Sequence, residues 1–176
     1  MRIESRLERS FWRYWLGGLL LLALMIAMNP WFSNDVSPWG IGDHQAAATA
    51  ARVDAIQLAW QAAGVLNLAR LSMAIDLIYI GVYSFGAYCG GRLFVQASQP
   101  MLRRLGWIIM AAAIILGVAD YIETVCQLVQ IMTLKGSDTL AGIAATAQPI
   151  KSTAFLTTFF GLLAALFLRR MKRRAA

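Results

Sequence analysis

The chain has 176 residues, is 59% hydrophobic and carries a formal charge of +7; its mean hydropathy is +0.60. A soluble domain of this length cannot cover so much apolar surface, so the expected class is an integral membrane protein with one membrane domain over 1–176. Nucleic-acid binding is excluded as a reading of the charge, because the basic residues stand in short runs beside apolar spans, where topology accounts for them.

The first predicted span covers about 15–32. It follows a basic arm (Arg2, Arg6, Arg9, Arg13) and has a Leu-rich centre, as a secretory signal peptide would. No small-x-small cleavage site follows it, and Asn29-Pro30-Trp31-Phe32 reads as a helix end at an aromatic interface. A retained anchor is therefore expected. The turn-rich stretch after it, with Pro38, Trp39 and two glycines, leads to Asp43 as a helix cap. From there an amphipathic helix is predicted over about 44–64, with Val53, Ile56 and Trp60 recurring at helical spacing. The expectation is a short helix on the outer membrane surface or an extension of the next span.

The second span is expected at about 71–91 between Arg70 and Arg92. On a helical wheel Ser72, Asp76, Tyr79, Tyr83, Gly86 and Gly90 share one polar and small-residue stripe, which should face the bundle. Gly86 and Gly90 form a small-xxx-small pair that admits a close neighbour. The third span, at about 105–132, carries a matching stripe of Asp120, Glu123, Gln127 and Gln130. Lys135-Gly136 reads as its stop, with Ser137 or Asp138 capping the next helix. The last span, about 152–168, lies beyond Pro149, which should kink the helix and turn Gln148 and Lys151 inward. It ends in a run of arginines and lysine suited to anchoring beside anionic head groups.

Of the sixteen Lys and Arg residues, twelve fall in the first arm, the 92–104 connection and the tail. By the positive-inside rule both termini are expected in the cytoplasm of a bacterial-type inner membrane. The fold class expected is thus all-α, a four-span bundle with a short outer-side amphipathic helix between spans one and two. Counted from the flanking arginines, Asn29, Asp76 and Asp120 each lie sixteen residues along their spans, Lys151 eighteen and Glu123 nineteen. The helical rise places all five in one layer, roughly 24 to 28 Å from the basic boundary.

Charges at that depth are expensive, which makes the layer the candidate site. Its members are Asp76, Tyr79, Tyr83, Asp120, Glu123, Gln127 and Lys151. Three carboxylates exceed one lysine even if Arg70 reaches down the second helix, so a retained proton or a bound cation is expected to complete the layer. The favoured function is a binding or accessory subunit serving a partner protein, a lipid or a small polar ligand, or assembling with its own copies. A proton- or cation-coupled carrier is the alternative, and a carboxylate-based intramembrane hydrolase built on Asp120-x-x-Glu123 is a further one. No cofactor and no metal is expected, and no catalytic residue is assigned. His44 is the one histidine and reads as a loop or cap residue, while Cys89 and Cys126 read as packing residues.

Overall fold

The computed structural model describes residues 2–175, with side chains over 6–171. Those residues are all-helical, with no strand among them. The elements are α1 (Arg2–Met28), a 3-10 turn (Asn29–Phe32), α2 (Ile41–Ala46), α3 (Ala50–Ala62), α4 (Leu66–Val95), α5 (Pro100–Thr133) and α6 (Asp138–Ala175). Four segments are long and apolar enough to cross a membrane: Arg6–Phe32, Leu66–Val95, Pro100–Thr133 and Asp138–Met171. α4 and α6 begin before the expected spans 71–91 and 152–168, and the added turns pack. Leu66 and Ala69 on α4 are buried, as are Ala141, Ala144 and Ala147 on α6.

The chain forms two compact units, and each long helix has residues in both. The first unit comprises Met1–Leu19, Gly81–Gly117 and Lys151–Ala176, the second Leu20–Ile80 and Val118–Ile150. α6 runs through Pro149 as one assigned helix.

In the first unit glycines set the packing. A β-carbon on Gly86 would lie 2.8 Å from the Trp15 Cα of α1, and one on Gly18 would lie 2.8 Å from the Tyr83 Cα. The small-residue pair of α4 thus receives α1, as its spacing implied. Gly91 and Gly106 do the same for α4 and α5: a β-carbon on Gly106 would meet the Val95 nitrogen at 2.5 Å and the Gly91 carbonyl at 2.7 Å. Phe11, Trp15 and Tyr83 fill the space between these crossings and are buried.

The second unit is organised around Trp60. A buried cluster joins Met28, Phe32, Val53, Ile56, Trp60, Leu66, Ala69, Met73, Ile131 and Ala141. The apolar face of α3 therefore rests on protein, with Val53, Ile56 and Trp60 inside this cluster. Helical periodicity reports one apolar face and is the same whether lipid or a neighbouring helix covers it.

The predicted single helix over 44–64 is two helices. α2 starts beyond Gly40, which sits at φ 59° with its α-carbon side against Asn29, and α3 starts at Ala50 with Thr49 Oγ1 accepting from Arg52 N. Asp43 lies in the first turn of α2, and its carboxylate accepts from Trp39 N at 2.6 Å. The α5 stop also differs from its expected form. Leu134 takes the left-handed conformation (φ 49°), and Lys135 N reaches back to Gln130 O. Gly136 is needed for a different reason: a β-carbon there would collide with the Ala50 carbonyl. Ser137 caps α6 by accepting from Leu140 N, which leaves Asp138 free to cap α3 through Ala50 N at 2.7 Å.

Candidate functional site

α4 and α5 present their polar faces within the second unit. Asp76 (7% exposed), Asp120 (4%), Glu123 (0%) and Gln127 (2%) are all buried, and so are Tyr79, Ser72, Thr124 and Gln130. The opposite face of α5 carries Val118, Tyr121, Ile122, Val125 and Val129, all exposed. That division follows the helical period: residues 120, 123, 127 and 130 repeat every three or four positions, so one face is polar and the other apolar. It is the reverse of a soluble surface helix, as expected where the outer face meets hydrocarbon.

Side-chain hydrogen bonds join this polar face. Thr124 Oγ1 donates to Asp76 Oδ2 at 2.8 Å, linking α5 to α4, and Gln127 Nε2 donates to Glu123 Oε1 at 3.2 Å. Farther along α5, Gln130 donates to the Cys126 carbonyl at 3.1 Å, while its own Oε1 accepts from Ser137 N at 3.0 Å. The buried polar groups thus continue from Asp120 along α5 to the turn that precedes α6. A hydroxyl and amides surrounding carboxylates can satisfy charged or protonated oxygens alike, so the arrangement suits a proton or a small cation as well as fixed packing.

Of the seven residues expected at the site, Asp76, Tyr79, Asp120, Glu123 and Gln127 lie in the second unit. Tyr83 and Lys151 belong to the first, where Tyr83 is buried with its ring 5.3 Å from Phe155 and Lys151 is half-buried. Asn29, expected in the layer by spacing, and Arg70, expected to reach down to it, have other roles. Asn29 clamps the connection after α1: its Nδ2 donates to Trp39 O and its Oδ1 accepts from Ile41 N. Arg70 turns to the end of α5, where its Nε donates to Ile131 O at 3.2 Å and its Nη1 to Asn67 Oδ1 at 3.0 Å. An equal residue count fixes the depth of Asn29 and leaves its side-chain direction open, and the long stem of Arg70 allows it more than one direction.

Sequence reasoning passed over Thr124. It lies one turn beyond Asp120 on the same arc, and that position was the available signal. His44 was also misread as a loop or cap residue. It is 1% exposed, stacks on Trp60 at 5.3 Å, and sets its Nε2 3.2 Å from Gln57 Nε2. Burial lowers its pKa to about 4, so the ring is neutral over the ordinary range. Among the described residues no three His, Cys, Asp or Glu side chains converge as metal ligands, and both cysteines are free thiols.

No family model, curated protein or solved structure matches the chain.

Proposed function

We propose that the chain is a multipass inner-membrane protein of the binding or accessory class, oriented with both termini in the cytoplasm. The observation that carries this reading is the burial of Asp76, Asp120 and Glu123 on one polar face with Ser72, Thr124, Gln127 and Gln130. Polar groups bonded across two helices hold a register that apolar packing alone leaves loose, and the same groups offer oxygens to a small polar ligand or cation. The charge distribution supports the orientation, since twelve of the sixteen basic residues fall in the arm, the 92–104 connection and the tail.

A second reading, a proton- or cation-coupled carrier, is favoured by one feature: buried polar groups follow α5 from Asp120 to the Gln130 bond with Ser137 N. Native mass measurement of the full chain after mild-detergent extraction separates the readings. The accessory reading expects a bound heterologous protein or a retained small molecule that Asp120→Asn releases while the chain stays helical. A symmetric homo-oligomer that carries coupled flux in proteoliposomes, with flux abolished by Asp120→Asn, would replace it with the carrier.

A further inference from the structure

The basic residues that topology accounts for also converge in space, and their chemistry is more selective than topology needs. The first unit contains thirteen Lys and Arg residues against two acids, Glu4 and Glu8. Eleven of the thirteen are arginine. A positive flank orients a span through charge, which lysine supplies equally well.

Packing within this unit puts Arg9, Arg92, Arg103, Arg104, Arg169 and Arg170 at one end. A β-carbon on Gly90 would lie 2.8 Å from the Phe11 ring and 2.5 Å from Leu162 Cδ2, and one on Gly91 would lie 2.9 Å from the Gly106 carbonyl. Those contacts set α1, α4, α5 and α6 level with one another. Leaving that level, α1 reaches Arg9, α4 reaches Arg92, α5 reaches Arg104 and Arg103, and α6 reaches Arg169 and Arg170. The bond from Arg169 Nη1 to Glu8 Oε1 at 2.8 Å ties α6 to α1 there. Arg92, Arg103, Arg104 and Arg170 are exposed.

An independent feature marks the depth. Trp107, one turn from Arg104, is 59% exposed, and Trp12 and Tyr14 of α1 are also exposed. Amphipathic aromatic rings on apolar spans collect at the level of lipid head groups. Arg103 and Arg104 are the fourth and fifth residues of α5, close to the positive end of a 34-residue helix. Guanidinium forks in that position match the two free oxygens of a phosphodiester, which an ammonium contacts only as a point charge.

We propose that this end of the first unit is a binding surface for anionic phospholipid, with Arg92, Arg103 and Arg104 gripping head-group phosphates. The proposal stands apart from the acid layer, and neither depends on the other.

The test uses the full chain, extracted in mild detergent and titrated with phosphatidylglycerol or with phosphatidylcholine, with retained lipid counted by native mass measurement. Wild type should retain phosphatidylglycerol preferentially. Arg103→Gln should lower that retention roughly fivefold, the effect of one cation at an anionic surface. The triple variant R92K/R103K/R104K keeps charge and topology, yet should lose at least about threefold because the forks are gone. Helicity by circular dichroism identifies a variant that fails to fold, and the comparison of the two lipids on wild type then decides. Equal retention of both lipids by wild type, or unchanged retention by a folded triple-lysine variant, would overturn the proposal.

Discussion

The two units use opposite means to hold helices together. The first has a formal charge of +11, buries aromatic and aliphatic residues, and draws its helices close at Gly18, Gly86, Gly90, Gly91 and Gly106. The second has three bases against seven acids, a formal −4, which with the +11 makes the chain's +7. It buries Asp76, Asp120, Glu123, Thr124, Gln127 and Gln130 and joins helices through side-chain hydrogen bonds. Close van der Waals approach and interhelical hydrogen bonding are the two forces available where lipid removes the hydrophobic drive. Each unit therefore has its own point of failure: added volume in the first, lost polar partners or lost core volume in the second.

Core truncation should give the largest effect. Trp60 is fully buried and its Nε1 donates to Phe32 O at 2.9 Å, so Trp60→Ala should destabilise the second unit by about 4 kcal/mol in detergent thermal unfolding. The matching test on the first unit adds volume. Gly106→Leu forces side chain into the space taken by the Val95 backbone and should cost about 3 kcal/mol. Tolerance of that substitution would show that close approach does not hold the first unit.

Acid should discriminate between the units. His44 in the second unit has a folded pKa near 4, below the ordinary 6.5. The unfolded chain therefore binds its proton more readily, and the stability that neutral His44 supports is complete above pH 6.5 and declines as pH falls toward 4. The full loss is about 3 kcal/mol. Asp43 of α2 has its carboxylate 4.0 Å from Arg52, and Asp54 of α3 accepts from Gly136 N. His44→Phe should remove this slope between pH 6.5 and 4. A smaller loss, about 2 kcal/mol, is expected for Thr124→Val, which removes the hydroxyl donor to Asp76. The smallest change is a gain: a β-carbon at Gly142 in α6 meets nothing within 4 Å, so Gly142→Ala should stabilise by about 0.5–1 kcal/mol through backbone entropy alone.

Much of this contrast was legible from residue spacing. Long apolar runs announced the four helices, and the arc of Asp120, Glu123, Gln127 and Gln130 announced the polar face of α5. The Gly86 and Gly90 pair announced the approach of a neighbouring helix, which is α1. What spacing left open was direction and partner. Asn29 has the right depth and Arg70 the reach, yet both turn to backbone carbonyls instead. Gly91 and Gly106 are far apart in sequence and form no motif, so their crossing emerges only in three dimensions. His44 looked like a loop residue because its burial is created by Trp60 and Gln57, thirteen and more positions away. The α5 stop rests on Leu134 in a conformation that sequence preference assigns to glycine.

The central claim is that Asp76, Asp120 and Glu123 face inward together. A nitroxide scan along α5 from 118 to 130 in lipid bilayers, on a background lacking Cys89 and Cys126, tests it most directly through collision with dissolved oxygen. The account expects low accessibility at 120, 123, 124, 127 and 130 and high accessibility at 118, 122, 125 and 129. High oxygen accessibility at 120 and 123 would turn those carboxylates toward lipid and contradict the claim.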